Sequence, residues 1–584
     1  MGHNKNHSFT GMSDHDFTGL VANQILEFNG TDIASLNTAT AGTILYVSSD
    51  GDDSTAVKGD SLRPYANIYA AKSASTSGDT IYVLPHTIVY DNRDTAGNPY
   101  NGQIETLINL WKNGVTYYFS PDTRIIFYNQ TVTGENMYLF NPGGTTGETC
   151  TVLGGLEYEQ FSTGVDSSNG ANHFYFNDNG FDSTFYSETH KLTSHHCELI
   201  NVNMPSASFS ASNTSVTIKS DYEYRDYLGG QTSSGAHYFF RSDYGVVSFN
   251  ADTKYREIRY SGYAIYTILA NKDSTINIYG KKLICEPGLF LMRGGLPTAS
   301  NENSALFNVS VDDIYYGTSY TPFSYYGSIV STYSKGGWTL NLNANLYDLE
   351  PNSYTTALFV VGATGGACED CTINFKGDIT TNTSSGVGRY IASASNNRNE
   401  VNIDGNIRTL GTGTTTQIFF QAIDGDSVVN YTGKITGNYA STIARPRNGG
   451  TVNLNNVYIE SNVDGSGSNV FSNNTTNLGT CRLNNSYVRL TNNTNGVVDG
   501  EDNNIFINNS TVINLGTGST VAYNTTNNGD LQVVNSTLIS SYSAATSIAY
   551  TGSTTVIATN STVNTNYDIN DFKGNINILT DLTY

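Results

Sequence analysis

Positive charge is scarce in this sequence. Lysine and arginine number 29 against 51 aspartates and glutamates, which gives a formal net charge of −22. Nucleic acids and anionic membranes bind basic surfaces, so this balance argues against both as partners. Eighteen consecutive apolar residues are also missing, and we expect no membrane insertion. The N-terminus shows no signal peptide, which argues against a secreted enzyme.

Cysteine is equally sparse, with six in 584 residues. Cys368 and Cys371 have Cys-x-x-Cys spacing, but a zinc site normally needs a second pair or two nearby histidines. None follows, since His237 is the last histidine. The run from His195 to Glu198 holds four potential ligands, yet adjacent residues of a strand point to opposite faces. We therefore predict structural thiols, no metal site and no cofactor.

Helical signals are nearly absent, because Thr, Ser, Asn and Gly dominate and capped runs at 3.6-residue spacing are hard to find. An apolar–Asn–apolar triplet recurs instead. Its middle residues are Asn277, Asn308, Asn341, Asn374, Asn402, Asn430 and Asn453, then Arg482, Phe506, Gln532 and Ile557, and finally Asn577. The steps between them are 20 to 33 residues, and such a period indicates one supersecondary unit stacked on itself.

A second short strand follows each triplet, and Gly or Asn stands between the two strands, where φ > 0 is easiest. Examples are Gly405, Gly433, Asn485, Asn509 and Asn535. This pattern predicts an all-β fold, a single-stranded parallel β-helix with coils about 4.8 Å apart. An antiparallel sandwich is the alternative, but it would not need the same residue class at the same place in every unit.

The recurring asparagines have a structural explanation. Stacked Asn side chains hydrogen-bond along a ladder, and we predict that role for them rather than a catalytic one. The repeat also creates Asn-X-Ser/Thr sequons, which we interpret as by-products of the repeat rather than as glycan sites. They begin at Asn308, Asn430, Asn509, Asn535 and Asn560.

Residues 1–40 differ from the repeat and are too short to bury a core of their own. They contain the related runs His7-Ser8-Phe9-Thr10-Gly11 and His15-Asp16-Phe17-Thr18-Gly19, then Gln24-Ile25-Leu26-Glu27-Phe28-Asn29-Gly30-Thr31. This segment resembles the N-terminal attachment pieces of bacteriophage tail and fibre proteins. The resemblance implies attachment to other virion proteins through Phe9, Phe17, Leu20, Leu26 and Phe28.

The runs Leu45-Tyr46-Val47, Arg63-Pro64-Tyr65-Ala66-Asn67-Ile68 and Gly78-Asp79-Thr80-Ile81 follow in the part 41–160. They resemble the opening of pectate-lyase-like, right-handed parallel β-helix proteins, a group that includes many phage tailspikes. The resemblance implies a first strand, a short helix that caps the open end, and a second strand. Ile68, Ala71 and Ala74, three residues apart, would share one side of that helix.

The repeat weakens over 161–265, before the regular coils of 266–584. Here Ile200-Asn201-Val202 and Val247-Ser248-Phe249 suggest coils separated by an insertion, and insertions in solenoids often form the binding face. Aromatic residues concentrate in this part and again before Trp338. Because such rings stack on sugars, we predict glycan binding by Tyr222, Tyr224, Tyr227, Tyr315, Tyr316, Tyr320 and Trp338. A subunit interface or plain core filling explains them equally well.

Glycoside hydrolysis would require a suitably spaced pair of carboxyl groups. Retaining glycosidases need carboxyl groups about 5–5.5 Å apart and inverting ones about 6.5–9.5 Å, and adjacent coils could supply such a pair. The nearest candidates beside aromatics are Asp221, Glu223 and Asp226. The pectate-lyase resemblance would imply calcium held by several Asp and an Arg base, but no persuasive cluster of that kind is present.

Together these patterns favour a phage virion protein, a fibre or spike at the particle surface. It would be a homotrimer fixed to the virion by residues 1–40 and would bind host-surface polysaccharide for adsorption. One alternative is a virion depolymerase, a polysaccharide hydrolase or lyase. Another is a purely structural capsid or tail decoration that touches no receptor.

Overall fold

The computed structural model describes the chain in a series of segments. They are residues 25–28, 33–36, 42–92, 109–129, 138–142, 147–162, 172–177, 183–195, 198–203, 214–225, 240–242, 245–251, 266–270, 274–285, 290–294, 305–316, 328–332, 337–348, 357–361, 369–381, 390–396, 398–410, 419–437, 442–461, 471–472, 479–491, 498–501, 503–516, 521–524, 530–540, 548–551, 556–559, 561–564 and 576–578.

Strands form nearly all of the regular structure in these segments. Up to residue 225 the elements are β1 (Ile25–Phe28), β2 (Ile33–Leu36), β3 (Ile44–Val47), α1 (Ile68–Ala74), β4 (Thr80–Val83), β5 (Thr87–Asn92), β6 (Val115–Phe119), β7 (Arg124–Asn129), β8 (Tyr138–Phe140), β9 (Thr149–Gly154), β10 (Glu157–Ser162), β11 (Asn172–Asn177), β12 (Thr184–His195), β13 (Glu198–Asn203) and β14 (Ser215–Arg225).

The middle of the chain continues the series. Its strands are β15 (Phe240–Ser242), β16 (Gly245–Ala251), β17 (Tyr266–Ala270), β18 (Ser274–Cys285), β19 (Phe290–Gly294), β20 (Leu306–Tyr316), β21 (Ser328–Thr332), β22 (Thr339–Asp348), β23 (Ala357–Val361), β24 (Thr372–Lys376), β25 (Ile379–Thr381), β26 (Tyr390–Ser395), β27 (Glu400–Asp404) and β28 (Ile407–Thr409).

The last part holds only short strands. They are β29 (Phe420–Ile423), β30 (Val428–Thr432), β31 (Lys434–Gly437), β32 (Ala444–Arg447), β33 (Thr451–Asn455), β34 (Tyr458–Ser461), β35 (Phe471–Ser472), β36 (Thr480–Asn484), β37 (Tyr487–Leu490), β38 (Val498–Glu501), β39 (Asn504–Asn508), β40 (Thr511–Asn514), β41 (Val521–Asn524), β42 (Leu531–Val534), β43 (Thr537–Ser540), β44 (Ile548–Thr551), β45 (Val556–Thr559), β46 (Thr562–Asn564) and β47 (Ile576–Ile578).

Pairing is parallel throughout the described strands, except in the antiparallel hairpin β1–β2. One sheet has 30 strands and another has 15. The larger sheet contains ladder A, which is β3, β4, β6, β9, β12, β14, β16, β18, β20, β22, β24, β27, β30, β33, β36, β39, β42, β45 and β47 in order of pairing. The predicted parallel all-β architecture is confirmed, and the antiparallel sandwich is wrong.

Two further ladders accompany the first. Ladder B comprises β5, β7, β10 and the second halves of β12 and β14. It also contains the second halves of β18, β20 and β22, followed by β25, β28, β31, β34, β37, β40, β43 and β46. Ladder C is the 15-stranded sheet from β8 to β44. The triplet at Asn201 lies in β13 on ladder C, so it is not a copy of the ladder A triplet, whereas Ser248 pairs with Asn277 on ladder A as expected.

The core follows from the two-residue period of a strand, which sends alternate side chains to opposite faces. In β24, Ile373 and Phe375 are buried, while Asn374 is only partly buried and Lys376 is exposed. The same alternation recurs in β27 and β30. Burying each such apolar side chain stabilises the fold by about 1.5–3 kcal/mol. One apolar cluster extends from Leu45 to Leu538.

The helix α1 lies where the sequence predicts it, between β3 and β4, and it packs on both. Asn67 caps its N-terminus, with Oδ1 accepting from the Ala70 N–H at 2.7 Å. Ile68 and Ala71 are buried as expected, but Ala74 is exposed, because the helix ends there and the chain continues in an extended conformation. Among the described residues, no helix is long and apolar enough to span a membrane.

Two kinds of corner join ladder A to ladder B. Gly377, Gly405 and Gly433 have φ between 141° and 157°, a conformation that essentially only glycine adopts. A Cβ on Gly405 would also lie 1.8 Å from the Gly377 carbonyl oxygen. Later corners use asparagine at φ between 48° and 54°, the left-handed region that Asn tolerates. These residues are Asn456, Asn485, Asn509 and Asn535. The predicted Gly/Asn bends are confirmed.

A buried serine row follows the asparagine corners. The Ser510 hydroxyl donates to the Asn508 carbonyl at 2.7 Å and accepts from the Ser486 N–H at 3.1 Å. Ser536 repeats the arrangement, and Ser561 accepts from the Ser536 N–H and donates to the Val533 carbonyl. In the sequons at Asn509 and Asn535 the Asn thus forms the corner and the Ser fills the row. The repeat itself thus accounts for these two sequons, because the corner accepts Asn and the buried row uses Ser.

Candidate functional site

The asparagines of the triplets form a continuous hydrogen-bonded row on the outward side of ladder A, as predicted. Each Nδ2 donates to the Oδ1 of the preceding asparagine at 2.7–2.9 Å. The asparagine row consists of Asn277, Asn308, Asn341, Asn374, Asn402, Asn430 and Asn453. The register places Arg482, Phe506, Gln532, Ile557 and Asn577 at the same position in later strands, as the spacing predicted.

Different side chains close the two ends of the row. At the N-terminal end, Asn277 Nδ2 donates to Ser248 Oγ at 3.1 Å. At the other end, Arg482 donates to Asn453 Oδ1 at 3.5 Å, and its Cζ lies 5.2 Å from the ring centroid of Phe506. The row therefore begins on a hydroxyl acceptor and ends on a cation.

A second outward row runs beside the first, two residues further along each strand. Its members pair in register and are Tyr279, Ser310, Asn343, Lys376, Asp404 and Thr432. Between the two rows lies a groove of about 600 Å³, which these side chains line together with Asn308 to Asn430. Because the groove crosses six neighbouring strands, it extends about 24 Å along the stack. We call it the asparagine groove.

The side chains of the two rows that border the asparagine groove are polar and almost uncharged, while the apolar residues Val309, Leu342, Phe375 and Ile403 lie between the rows and complete its lining. Tyr279 is 45% exposed at one end, which leaves its ring available for contact. Lys376 and Asp404 are its only charged lining residues among those described, and they lie on adjacent strands. The remaining side chains of the two rows offer amide and hydroxyl groups. Such a surface suits a ligand that is rich in hydroxyl groups.

No protein-family model, curated protein or solved structure matches this chain.

Two of the predicted glycan-binding residues are wrong, because they lie in the core. Tyr222 and Trp338 are each 1% exposed. Trp338 contacts Phe307 edge to face, with ring centroids 6.4 Å apart. Strand alternation explains both: Tyr222 follows Val216 and Ile218 on the inward side of β14. Core filling, the alternative interpretation, holds for these two residues.

Tyr315 lies on the outward side of ladder B, where two side chains contact its ring. Tyr347 stacks on it at 4.7 Å between ring centroids, and Lys282 Nζ lies 4.4 Å from the Tyr315 centroid. Lys434, Tyr458 and Tyr487 repeat the arrangement further along the same ladder. Glycan binding by Tyr315 stays a prediction.

The remaining predicted glycan-binding residues are Tyr224, Tyr227, Tyr316 and Tyr320. The backbones of Tyr224 and Tyr316 lie in β14 and β20. Tyr227 and Tyr320 lie outside the described residues. Glycan binding by these four tyrosines stays a prediction.

The catalytic candidates are only partly placed. Asp221 and Glu223 lie two residues apart in β14, in register with Lys191 and Thr193 of β12. Asp226 lies outside the described residues. Within the described part of the chain, no cluster of three or more His, Cys, Asp or Glu could hold a metal ion.

The attachment candidates fall on the N-terminal part of the chain. Leu26 and Phe28 lie in β1, where their backbones pair with Ser35 and Ile33 of β2. Phe9, Phe17 and Leu20 lie outside the described residues. The attachment role stays a prediction.

The described thiols are structural, as predicted. Cys150, Cys371 and Cys481 are buried. Burial raises the pKa of the Cys150 thiol to about 12 and holds the pKa of Cys481 well above its usual range. Neither group is a thiolate at neutral pH, so neither is a nucleophile there.

Proposed function

We propose that the chain is a right-handed parallel β-helix that serves as a virion fibre or spike and binds host-surface glycan along the asparagine groove. Three parallel ladders that advance together along the chain, with fixed corners between ladders A and B, support the solenoid. Residues 1–40 would attach the protein to other virion proteins, and three copies would assemble at the particle surface. The alternative without a receptor, a structural decoration, has no role for such a groove.

The asparagine groove is the observation that carries this proposal. A polymer that lies along the stack can contact the same polar groups at every strand, about 4.8 Å apart. Tyr279 adds an exposed ring at one end, and aromatic rings stack on the apolar faces of sugars. Repeated weak contacts of this kind suit a repeating ligand, because each further unit adds binding energy without a new site.

Binding is favoured over cleavage in this groove. Glycoside hydrolysis generally uses two carboxyl groups, and Asp404 is the only carboxylate among the described lining residues. Glu400, which is not a lining residue, accepts a hydrogen bond at Oε1 from Asn430 Nδ2 at 2.9 Å. A depolymerase would therefore need a second site, for which Asp221, Glu223 and Asp226 remain the candidates.

The test is a binding and product assay with the purified full chain and host-surface polysaccharide. We expect retention of the polysaccharide without new reducing ends or unsaturated products. Tyr279→Ala should weaken binding about three- to tenfold through loss of the ring contact, and Ser310→Trp, which fills the groove, should abolish it.

Two variants on ladder B serve as matched controls. Tyr458→Ala removes an exposed tyrosine outside the groove, and Thr380→Trp adds a bulky ring outside it. Both should bind as the unmodified protein does. Equal affinity in Ser310→Trp and Thr380→Trp would rule out the groove as the glycan site, and release of oligosaccharide products would favour the depolymerase.

A further inference from the structure

The amides of the asparagine row all point the same way. From Asn453 back to Asn277, every Nδ2 donates toward the N-terminal neighbour and every Oδ1 faces the C-terminal one. Aligned amide dipoles add, as they do in a helix, with the positive end at the N–H side. Arg482 lies at the negative end, where a cation is stabilised. The asparagine row, which forms one side of the groove, therefore has a net dipole in one direction along the stack.

Each amide in the groove has hydrogen-bonding capacity left over. A side-chain amide carries two N–H donors and an oxygen with two lone pairs. Asn341 uses one donor toward Asn308 and one lone pair toward Asn374. Among the described contacts, one donor and one acceptor thus remain on each of Asn308, Asn341, Asn374 and Asn402, in the same orientation every time. Asn430 differs, since its second donor meets Glu400 and the regular pattern ends there.

The charges along the groove cancel. Lys376 and Asp404 occupy adjacent positions of the second row, and the other described lining residues are neutral. The whole chain carries −22. An anionic polymer laid along the groove would meet Asp404 and the negative field of the protein with a single compensating lysine. An uncharged polymer meets neither penalty.

We propose that the asparagine groove selects an uncharged, linear polysaccharide and binds it in a single chain direction. This inference rests on the proposed glycan-binding function of the groove. Paired donors and acceptors at each strand match ring hydroxyl groups, which both donate and accept. Because the amide orientation never reverses, a sugar chain laid in the opposite direction would present its groups to the wrong partners. Buried or fixed polar groups left without partners lower affinity, so one direction is preferred.

Charge selectivity is tested with the full chain and linear oligosaccharides of matched length. The neutral probes are dextran, mannan and cello-oligosaccharides, and the acidic probes are alginate, hyaluronan and polygalacturonate. We expect at least one neutral probe to bind at least about tenfold more tightly than every acidic one. The Asp404→Asn variant should narrow that ratio, and Asp378→Asn, an exposed acid outside the groove, should leave it unchanged.

Direction is tested with the best neutral probe, carrying a photoreactive diazirine at its reducing end. Cross-linked peptides are then mapped by mass spectrometry. We expect cross-links at one end of the groove, either beside Tyr279 or beside Thr432, in about fivefold excess over the other, and their loss on adding unlabelled probe. Equal cross-linking at both ends would overturn the directional claim.

The outcomes separate this inference from the proposed function. If an acidic probe binds most tightly within the groove, glycan binding stands and the selectivity is wrong. If the cross-links map outside the groove, or if no polysaccharide of the neutral or acidic set and no host-surface polysaccharide binds, the proposed function fails and the inference fails with it.

Discussion

Arg482 donates to Asn453 Oδ1 at 3.5 Å while its guanidinium carbon lies 5.2 Å from the ring centroid of Phe506. One side chain thus closes the asparagine row and covers the aromatic residue that succeeds it in the ladder. The position is the first at which the asparagine series is interrupted, and the replacement is a cation that suits the negative end of the row.

We expect Arg482→Met to lower the free energy of unfolding by about 0.5–1 kcal/mol, because the methionine keeps the contact with Phe506 but loses the charge. Urea denaturation at low and high salt measures this difference, which should shrink as salt rises. Arg408→Met is the control, since Arg408 is exposed on ladder B away from the row. Equal losses in both variants would show that Arg482 does not stabilise the end of the row.

Asn374→Ala tests the interior of the row. The change removes the hydrogen bonds to Asn341 and from Asn402, and we expect a loss of about 1–3 kcal/mol. Asn343→Ala is matched to it, being an exposed asparagine on the adjacent strand and outside the row, and should stay within about 0.5 kcal/mol of the unmodified protein. Chemical denaturation of both variants decides the matter. A loss as small as that of Asn343→Ala would contradict a stabilising row.

The glycine corners and the asparagine corners should respond differently to substitution. At Gly405 a Cβ would meet the Gly377 carbonyl at 1.8 Å, so Gly405→Ala should cost about 3 kcal/mol or more. Asn456 has φ 54°, and Asn456→Gly should change stability by less than about 1 kcal/mol. Thermal unfolding of the two variants provides the comparison. Tolerance of alanine at Gly405 would mean that the backbone approach is looser than described.

Ser510→Ala tests the serine row. The Ser486 N–H is buried and would lose its acceptor, so we expect a loss of about 1–3 kcal/mol. Thr511→Ala, one residue further on and only partly buried, should cost less than half as much. Measured unfolding free energies that rank the two variants the other way would refute the role of the serine hydroxyls.

Stability should fall in acid partly through Asp79. Burial alone would raise the pKa of this carboxyl, but hydrogen bonds from Lys58, Thr76 and Thr43 outweigh it and lower the pKa from 3.8 to about 2. A pKa below that of the unfolded chain stabilises the fold at higher pH, by about 2 kcal/mol at neutrality. That contribution is lost as the pH falls from about 4 toward 2.

The Asp79→Asn variant isolates this contribution. It should be less stable than the unmodified protein at pH 6, and the difference should become small near pH 2, where about half of the Asp79 carboxyl groups are protonated. Denaturation midpoints across this range give the comparison. A difference independent of pH would assign the effect to packing rather than to the charge.

Much of the strand register and many of the corners can be predicted from the sequence alone. The recurrence at Asn277 to Asn577 predicts the register of ladder A from β18 onward, because the triplet returns at the same place in each unit although the step varies from 20 to 33 residues. The corners at Gly405 and Asn509 were also predictable, since few residues accept positive φ. Ladder C was not, as its strands carry no comparable marker and Ile200-Asn201-Val202 imitates the ladder A triplet.

The candidate site is harder to predict, because aromatic content alone does not show whether a side chain faces inward or outward, and strand alternation does. Trp338 shares its parity with Leu340 and Leu342 and is therefore inward, whereas Tyr279 shares its parity with Asn277 and is outward. Applying the two-residue alternation of a strand, starting from the buried apolar residues, would have placed Trp338 and Tyr279 on the correct sides. The stacking of Tyr347 on Tyr315 could not be found in this way, since it joins residues 32 positions apart and needs the pairing register.

The serine row and its corners make the last strands interchangeable. Asn485-Ser486, Asn509-Ser510 and Asn535-Ser536 occupy equivalent places, with the same backbone conformation at each asparagine. Removing residues 510–535 would join Asn509 directly to Ser536 and leave every remaining corner intact. Such a chain would be shorter by one complete unit and still in phase. The deletion would take one strand from each of the three ladders, β40, β41 and β42, so the number of units can change without a new fold.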